Sequence, residues 1–293
     1  MRRQPLIWTA LRLFTRLCDK LPHAGALALG DLLGRTVKNF SPRRAAKATA
    51  RCARVLGVPE PAAREIVSKA YSHFGRALAE FIRLPKMCQR LDELIEIRGE
   101  ENIRRAMELG RGVILLSAHI GQWEYAAALL ARRGMPIHAI GAKQRDDRIT
   151  RAISDTRMRA GVTPLGKGLD LRGSIECLKK GGILAVLLDQ DARDTGVISP
   201  FLGQPASTPV GPIKLARKFG CPVVPTHIVR NSDGVHMTMT VEPPLEGPNG
   251  RPFGEDLQYA ADRCNEVISG WIRENPGQWL WMYPRWASTL NDK

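Results

Sequence analysis

The sequence has no run of eighteen or more apolar residues, no C-x-x-C pair and no Gly/Ser/Pro-rich linker. The first absence removes a conventional membrane-spanning helix. Its six cysteines (Cys18, Cys52, Cys88, Cys177, Cys221 and Cys264) lie far apart, so neither a disulfide scaffold nor a zinc site is expected, and the pattern suits a reducing compartment. No small-residue cleavage site follows an apolar run near the start, which argues against secretion. G-x-G-x-x-G and G-x-x-x-x-G-K-[ST] are both missing, so no dinucleotide site or phosphate-binding loop is expected, and Gly166-Lys167-Gly168 reads as a turn. There is no internal repeat. A length of 293 residues leaves room for two domains of about 150 each. Without a linker the chain reads instead as one α/β domain, residues 55–293, behind an N-terminal segment, residues 1–54.

Acidic residues are scarce in that segment. Twelve Lys/Arg, among them Arg12, Arg16, Arg43, Arg44, Lys47 and Arg51, face only Asp19 and Asp31, so ten of the fifteen net positive charges lie there. Leu6, Ile7, Trp8, Leu11, Leu13, Phe14 and Leu17 share the segment with arginines at helical spacing. A basic amphipathic helix of this kind suits the headgroup plane of an anionic bilayer. The same residues also fit a helix packed on the domain with a solvated basic face. Nucleic acid is not expected as a partner, because charge supports phosphate contact only and no zinc finger, RNP-like motif or helix-turn-helix is present.

Periodicity supplies the fold class. Ile66, Val67, Ala70, Tyr71, Phe74, Leu78, Phe81 and Ile82 recur every 3.6 residues and predict a helix over 62–84, ending before Pro85. Beyond it, strands over 113–116, 137–141, 183–188, 223–229 and 237–241 alternate with helices over 100–109, 122–133, 148–160, 171–180, 209–219 and 256–274. That order predicts an α/β fold with a central, mostly parallel sheet flanked by helices.

Active groups in such sheets gather at the carboxyl ends of strands. His119 falls at one of these ends, and Glu124 follows as the next helix begins. A carboxylate there can hold the imidazole in one tautomer and stabilise its protonated form, the logic of a base and its orienter. On these residues alone, a capping histidine and a surface glutamate fit as well. Ser117 lacks the G-x-S-x-G elbow of a serine nucleophile. His138, His227 and His236 read as structural.

The string Ser117-Ala-His-Ile-Gly-Gln-Trp-Glu124 resembles the H-x4-[DE] motif of the lysophospholipid and glycerolipid acyltransferase superfamily, in the form seen in its lipid A late acyltransferase branch. Leu188-Asp189-Gln190-Asp191, Pro200-Phe201-Leu202-Gly203 with Pro205-Ala206-Ser207-Thr208, and Asn275 to Trp286 are similar to later blocks of that branch, in the same order. Leu202 replaces the usual aromatic, and Pro284 stands where a basic residue is frequent.

The resemblance implies a glycerolipid acyltransferase-like fold and transfer of an acyl chain from an acyl carrier protein thioester, or from acyl-CoA, to a glycolipid hydroxyl. His119 would be the general base and Glu124 its partner, with no acyl-enzyme, metal or cofactor. Arg159, or else Arg157, would contact substrate phosphate; a solvated helix face explains both arginines equally well. Asp189 and Gln190 would shape the site, and Thr208 and Arg285 would join the substrate-binding set. Arg285 would meet a headgroup between Trp281 and Trp286 at the bilayer interface, unless those tryptophans pack in the core. The expected acceptor is the 3-hydroxyacyl hydroxyl of a phosphorylated disaccharide lipid A precursor, at the cytoplasmic face of the inner membrane. The alternatives are a phosphatidylinositol mannoside acylated from acyl-CoA and, in another class, a non-enzymatic membrane or polyanion binder.

Overall fold

The apolar run after Gly112 becomes the middle of a seven-stranded sheet, in a computed structural model that describes residues 4–166 and 171–290. Four helices come first: α1 (Gln4–Lys20), α2 (His23–Asn39), α3 (Pro42–Leu56) and α4 (Glu60–Met87). The short α5 (Leu91–Leu94) leads to β1 (Ile95–Arg98) and α6 (Glu100–Glu108). Alternation then runs through β2 (Val113–Ser117), α7 (Trp123–Arg132), β3 (Ile137–Gly141), α8 (Asp147–Arg159), β4 (Thr163–Gly166), α9 (Leu171–Lys179) and β5 (Ile183–Leu187). A hairpin of β6 (Val197–Phe201) and β7 (Gln204–Thr208) precedes α10 (Gly211–Phe219), β8 (Val223–Arg230), β9 (Met237–Val241) and α11 (Leu257–Glu274).

The sheet order is β1-β9-β8-β2-β5-β3-β4, parallel except where β8 meets β9. The fold is therefore α/β with a mostly parallel central sheet flanked by helices. In β2, Ile114 and Leu116 enter a core with α11 and the C-terminal tryptophans, while Val113 and Leu115 enter a second core with α5, α6 and α7. Both faces of the strand are covered, so its sequence is a continuous apolar run and does not alternate. Two elements hid from periodicity for identifiable reasons. Pro200 and Pro205 face each other across the hairpin and mask it, and α4 continues through Pro85 because a proline in the last turn removes only one late hydrogen bond.

Residues 1–54 are not set apart as a segment, since a boundary at 54 cuts α3. Ala48, Cys52 and Val55 of α3 share a core with α4 and α11, and α2 lies against α4 through glycines. A β-carbon on Gly34 would stand 2.1 Å from the Tyr71 carbonyl oxygen, and one on Gly75 2.0 Å from that of Gly30. The α1 apolar residues divide. Cys18 is buried and Leu11 and Phe14 are half-buried, while Leu13 and Leu17 are exposed beside Arg12 and Arg16. Trp8 lies under the Arg148 guanidinium, 5.2 Å from its ring centre. Lys167 and Gly168, read above as part of a turn, lie outside the described residues, as do Arg2 and Arg3. No described helix is long and apolar enough to cross a membrane.

Candidate active site

Strands β2 and β5 are parallel neighbours with Ser117 opposite Leu187, so His119 and Asp189 each lie two residues past matched strand ends. Their side chains meet. His119 Nδ1 lies 2.8 Å from Asp189 Oδ1, and the His119 amide donates to Asp189 Oδ2 at 2.9 Å. A carboxylate only accepts, so Nδ1 donates to Asp189, and in the neutral ring Nε2 is the nitrogen with the lone pair. The His119 side chain is 16% exposed, whereas Asp189 is 2% exposed. Burial alone would raise the Asp189 carboxyl. The charge of His119 and hydrogen bonds from its ring, the Trp279 indole and the His119 amide outweigh burial and hold the carboxyl below the usual carboxylate range.

Glu124 does not take the place expected beside His119. It sits in the first turn of α7, where the helix dipole favours an acid, and Arg157 of α8 grips it with two parallel bonds. Nε donates to Oε2 at 3.0 Å and Nη2 to Oε1 at 2.7 Å. Both residues are 8% exposed, and at that depth the guanidinium supplies Glu124 with both an opposite charge and two hydrogen bonds. Gly141 leaves the room, since a β-carbon there would stand 2.7 Å from Arg157 Nη1. Among the described residues, Trp123 touches both Glu124 and His119. That indole donates to Glu124 at 3.2 Å and packs edge-on to the imidazole at a centroid distance of 5.1 Å.

The loop carrying His119 is fixed on both sides. Gly121, at φ 59°, leans so close to β8 that a β-carbon would stand 1.6 Å from the Ile228 carbonyl oxygen. Its amide donates to Gln278, Leu280 donates to the His119 carbonyl, and Ile120 bridges Trp279. Buried His73 donates from Nε2 to the Gly121 carbonyl at 3.0 Å. Gln122 bonds Glu80 at 3.0 Å, Arg230 bonds the same Glu80 oxygen at 2.6 Å, and Gln278 exchanges two hydrogen bonds with the Arg230 backbone. Neither Glu80 nor Arg230 announces itself in the sequence, because 150 positions separate them. Trp279, which donates to Asp189 Oδ2 at 2.8 Å, is 90 positions from its partner.

The other expected site residues scatter. Gln190 is half-buried beside Asp189. Arg157 is committed to Glu124, and Arg159 is exposed on α8 with no hydrogen-bond or ion-pair partner among the described residues. Thr208 and Arg285 are both fully buried, which corrects their place in the substrate-binding set. Arg285 donates to the Ser207 carbonyl at 2.5 Å and Thr208 Oγ1 at 2.8 Å and lies over Phe201, and burial pushes its guanidinium down to about 10 against the pull of Asp189 and Asp191. Trp279, Trp281 and Trp286 are at most 1% exposed and cluster with Phe201, so they form core and not an interfacial belt.

Among curated proteins, the chain is 28% identical to the phosphatidylinositol mannoside acyltransferase of Mycobacterium tuberculosis strain H37Rv, over 82% of this chain and 76% of that one. It is 25% identical to the lipid A biosynthesis palmitoleoyltransferase of Escherichia coli K12, over 92% and 87%. The crystal structure of the 1-acyl-sn-glycerophosphate (LPA) acyltransferase of Thermotoga maritima matches 70% of this chain and 83% of that one, at 18% identity and a TM-score of 0.40. The model of the bacterial lipid A biosynthesis acyltransferase family matches residues 2–288, so the chain belongs to that family and is an acyltransferase.

Proposed function

We propose that the protein transfers a fatty acyl chain from a thioester to a hydroxyl of an anionic glycolipid, with His119 as base and Asp189 as the carboxylate that orients it. The supporting observation is the His119–Asp189 pair at the ends of neighbouring strands, which leaves Nε2 as the basic nitrogen. Nε2 takes the acceptor proton as the hydroxyl oxygen attacks the thioester carbonyl. The tetrahedral intermediate then collapses, the C–S bond breaks, and the departing thiolate recovers the proton from the imidazolium. The products are an ester and a free thiol. General-base help of this kind contributes about 10²–10⁴-fold.

For the donor we propose acyl carrier protein, an acidic partner suited to a chain of net charge +15, and for the acceptor a phosphorylated disaccharide lipid A precursor. A phosphatidylinositol mannoside acylated from acyl-CoA is the second reading, favoured by the mycobacterial relative. Incubation with each acceptor and each donor, followed by mass spectrometry, is expected to show a gain of one acyl chain in one pairing and none with His119→Ala. Undiminished transfer by that variant would refute the base.

We also assign the protein to the cytoplasmic face of the inner membrane, held peripherally. Leu13 and Leu17, exposed beside Arg12 and Arg16, support this reading. Replacing both leucines by Ser is expected to reduce sedimentation with phosphatidylglycerol vesicles severalfold, and unchanged sedimentation would reject α1 as the contact.

A further inference from the structure

Helix α4 turns His73, Ala77 and Glu80, spaced i, i+4 and i+7, toward the loop that carries His119. His73 meets the Gly121 carbonyl at 3.0 Å. The Gln122 side chain, 1% exposed, donates from Nε2 to the Ala77 carbonyl at 2.8 Å and to Glu80 Oε2 at 3.0 Å. Arg230, at the end of β8, donates from Nη2 to that same oxygen at 2.6 Å. The bonds then close on themselves. Gln278 exchanges two hydrogen bonds with the Arg230 main chain, and its own carbonyl accepts from the Gly121 amide at 3.0 Å, so Gly121, Gln122, Glu80, Arg230 and Gln278 form a ring. His119 stands two residues before Gly121.

A ring built on a buried ion pair adds little to stability. Glu80 is 1% and Arg230 8% exposed, and Glu80 Oε1 has no hydrogen-bond partner among the described residues. At that depth desolvation cancels most of the attraction, and apolar residues of similar volume often serve a fold as well or better. What apolar residues do not supply is direction. A hydrogen bond fixes both distance and angle, whereas apolar contact is non-directional. The loop has a use for direction, because β2 ends at Ser117 and α7 begins at Trp123, which leaves residues 118–122 outside regular strand and helix. Asp189 meets the imidazole from the β5 side. The ring secures the far end of the loop from α4, β8 and the chain beyond α11.

We propose that Glu80 is a positioning residue for the reaction: paired with Arg230, it fixes Gln122 and so holds the 118–122 loop with the His119 imidazole aimed at Asp189. The inference rests on the reading of His119 as the base, and adds to it a carboxylate from α4 that acts through Gln122. Displacing a reacting group by about 1 Å costs on the order of 10²-fold in rate, so the ring governs turnover and leaves acceptor binding alone.

The test compares two double variants. Glu80→Met/Arg230→Met removes both charges together at similar volume, so neither is left buried alone, and its urea midpoint should not fall. Its kcat should nevertheless fall about 10–10²-fold, with the acceptor KM within about twofold of wild type. Glu80→Gln/Arg230→Met also lacks the pair but keeps an amide oxygen at position 80 to accept from Gln122, and should recover most of the lost kcat. A merely structural pair would leave the two variants alike. Equal kcat in both, wild-type kcat in the first, or a loss carried by KM overturns the proposal. Should the first variant fail to fold, Gln122→Met, which leaves the ion pair in place, is measured instead: a kcat loss of about tenfold or more sustains the assignment, and wild-type kcat overturns it. The downfield ring N–H proton resonance of His119, identified by its absence from His119→Ala, separates this proposal from the reading beneath it. If the wild-type protein acylates no acceptor, that reading fails. A resonance lost in the first double variant and kept in the second still sustains the placement, and one unchanged in both overturns it.

Discussion

Replacing Asp189 by Asn keeps the side chain's size but allows an N–H to point at His119 Nδ1, which would move the ring proton to the wrong nitrogen. The expected loss in kcat is about 10²–10⁴-fold. Glu124→Gln should differ in kind. It leaves the Arg157 guanidinium buried without its counter-charge, and losing one partner of such a pair costs about 3–5 kcal/mol, read as a lower urea midpoint. If Asp189→Asn were destabilised and fully active while Glu124→Gln stayed stable and lost kcat, the two roles would have to be exchanged. The histidine was legible in the sequence, at the end of an apolar run. Its partner was not, because the nearest carboxylate in sequence belongs to the next helix. The nearest in space comes from β5, and only the pairing of β5 with β2 makes it a neighbour. Gly121 was visible as a letter in a motif. Its reason, the close approach to the Ile228 carbonyl, was hidden until β8 was placed.

Among the elements, β2, β3, β5, β8 and β9 and most helices announce themselves because each has one dominant period or an unbroken apolar run. Strands β1 and β4, at the sheet edges, have four residues each, too few for a pattern. The hairpin of β6 and β7 is held by contacts the period does not encode. Asn265 of α11 donates to Ser199 and Thr208, and Arg285 reaches Ser207 and Thr208 from the chain beyond α11. Arg285→Gln should therefore act on stability. A loss of about 1.5–3 kcal/mol is expected from removing bonds donated by a buried charge, with the acceptor KM within twofold of wild type. A large rise in KM with unchanged urea stability would restore the headgroup contact that the resemblance implied.

At the scale of the whole molecule, two buried histidines couple folding to pH. Burial, with the charges of Arg230 and Arg76, lowers His73 to about 3 against one opposing bond to the Gly121 carbonyl, and burial lowers His227 to about 4. Both fold neutral, while an unfolded histidine takes a proton near pH 6.5. Their contribution is complete above that value and is lost as pH falls toward 4. Burial also raises the Glu242 carboxyl, 3.9 Å from His227, which works in the opposite sense. The melting temperature should fall between pH 6.5 and 4.5, and His227→Phe, which keeps a ring against Trp271, should reduce that fall. Equal pH dependence in the two proteins would exclude His227 from the effect. The bridge between Ile120 and Trp279 carries a consequence for synthesis. At about 5–20 residues per second, a ribosome makes Trp279 several seconds after Asp189, which lies 90 residues earlier. A nascent chain therefore holds its histidine and aspartate before the indole that anchors them, and a product of premature termination before Trp279 lacks that anchor.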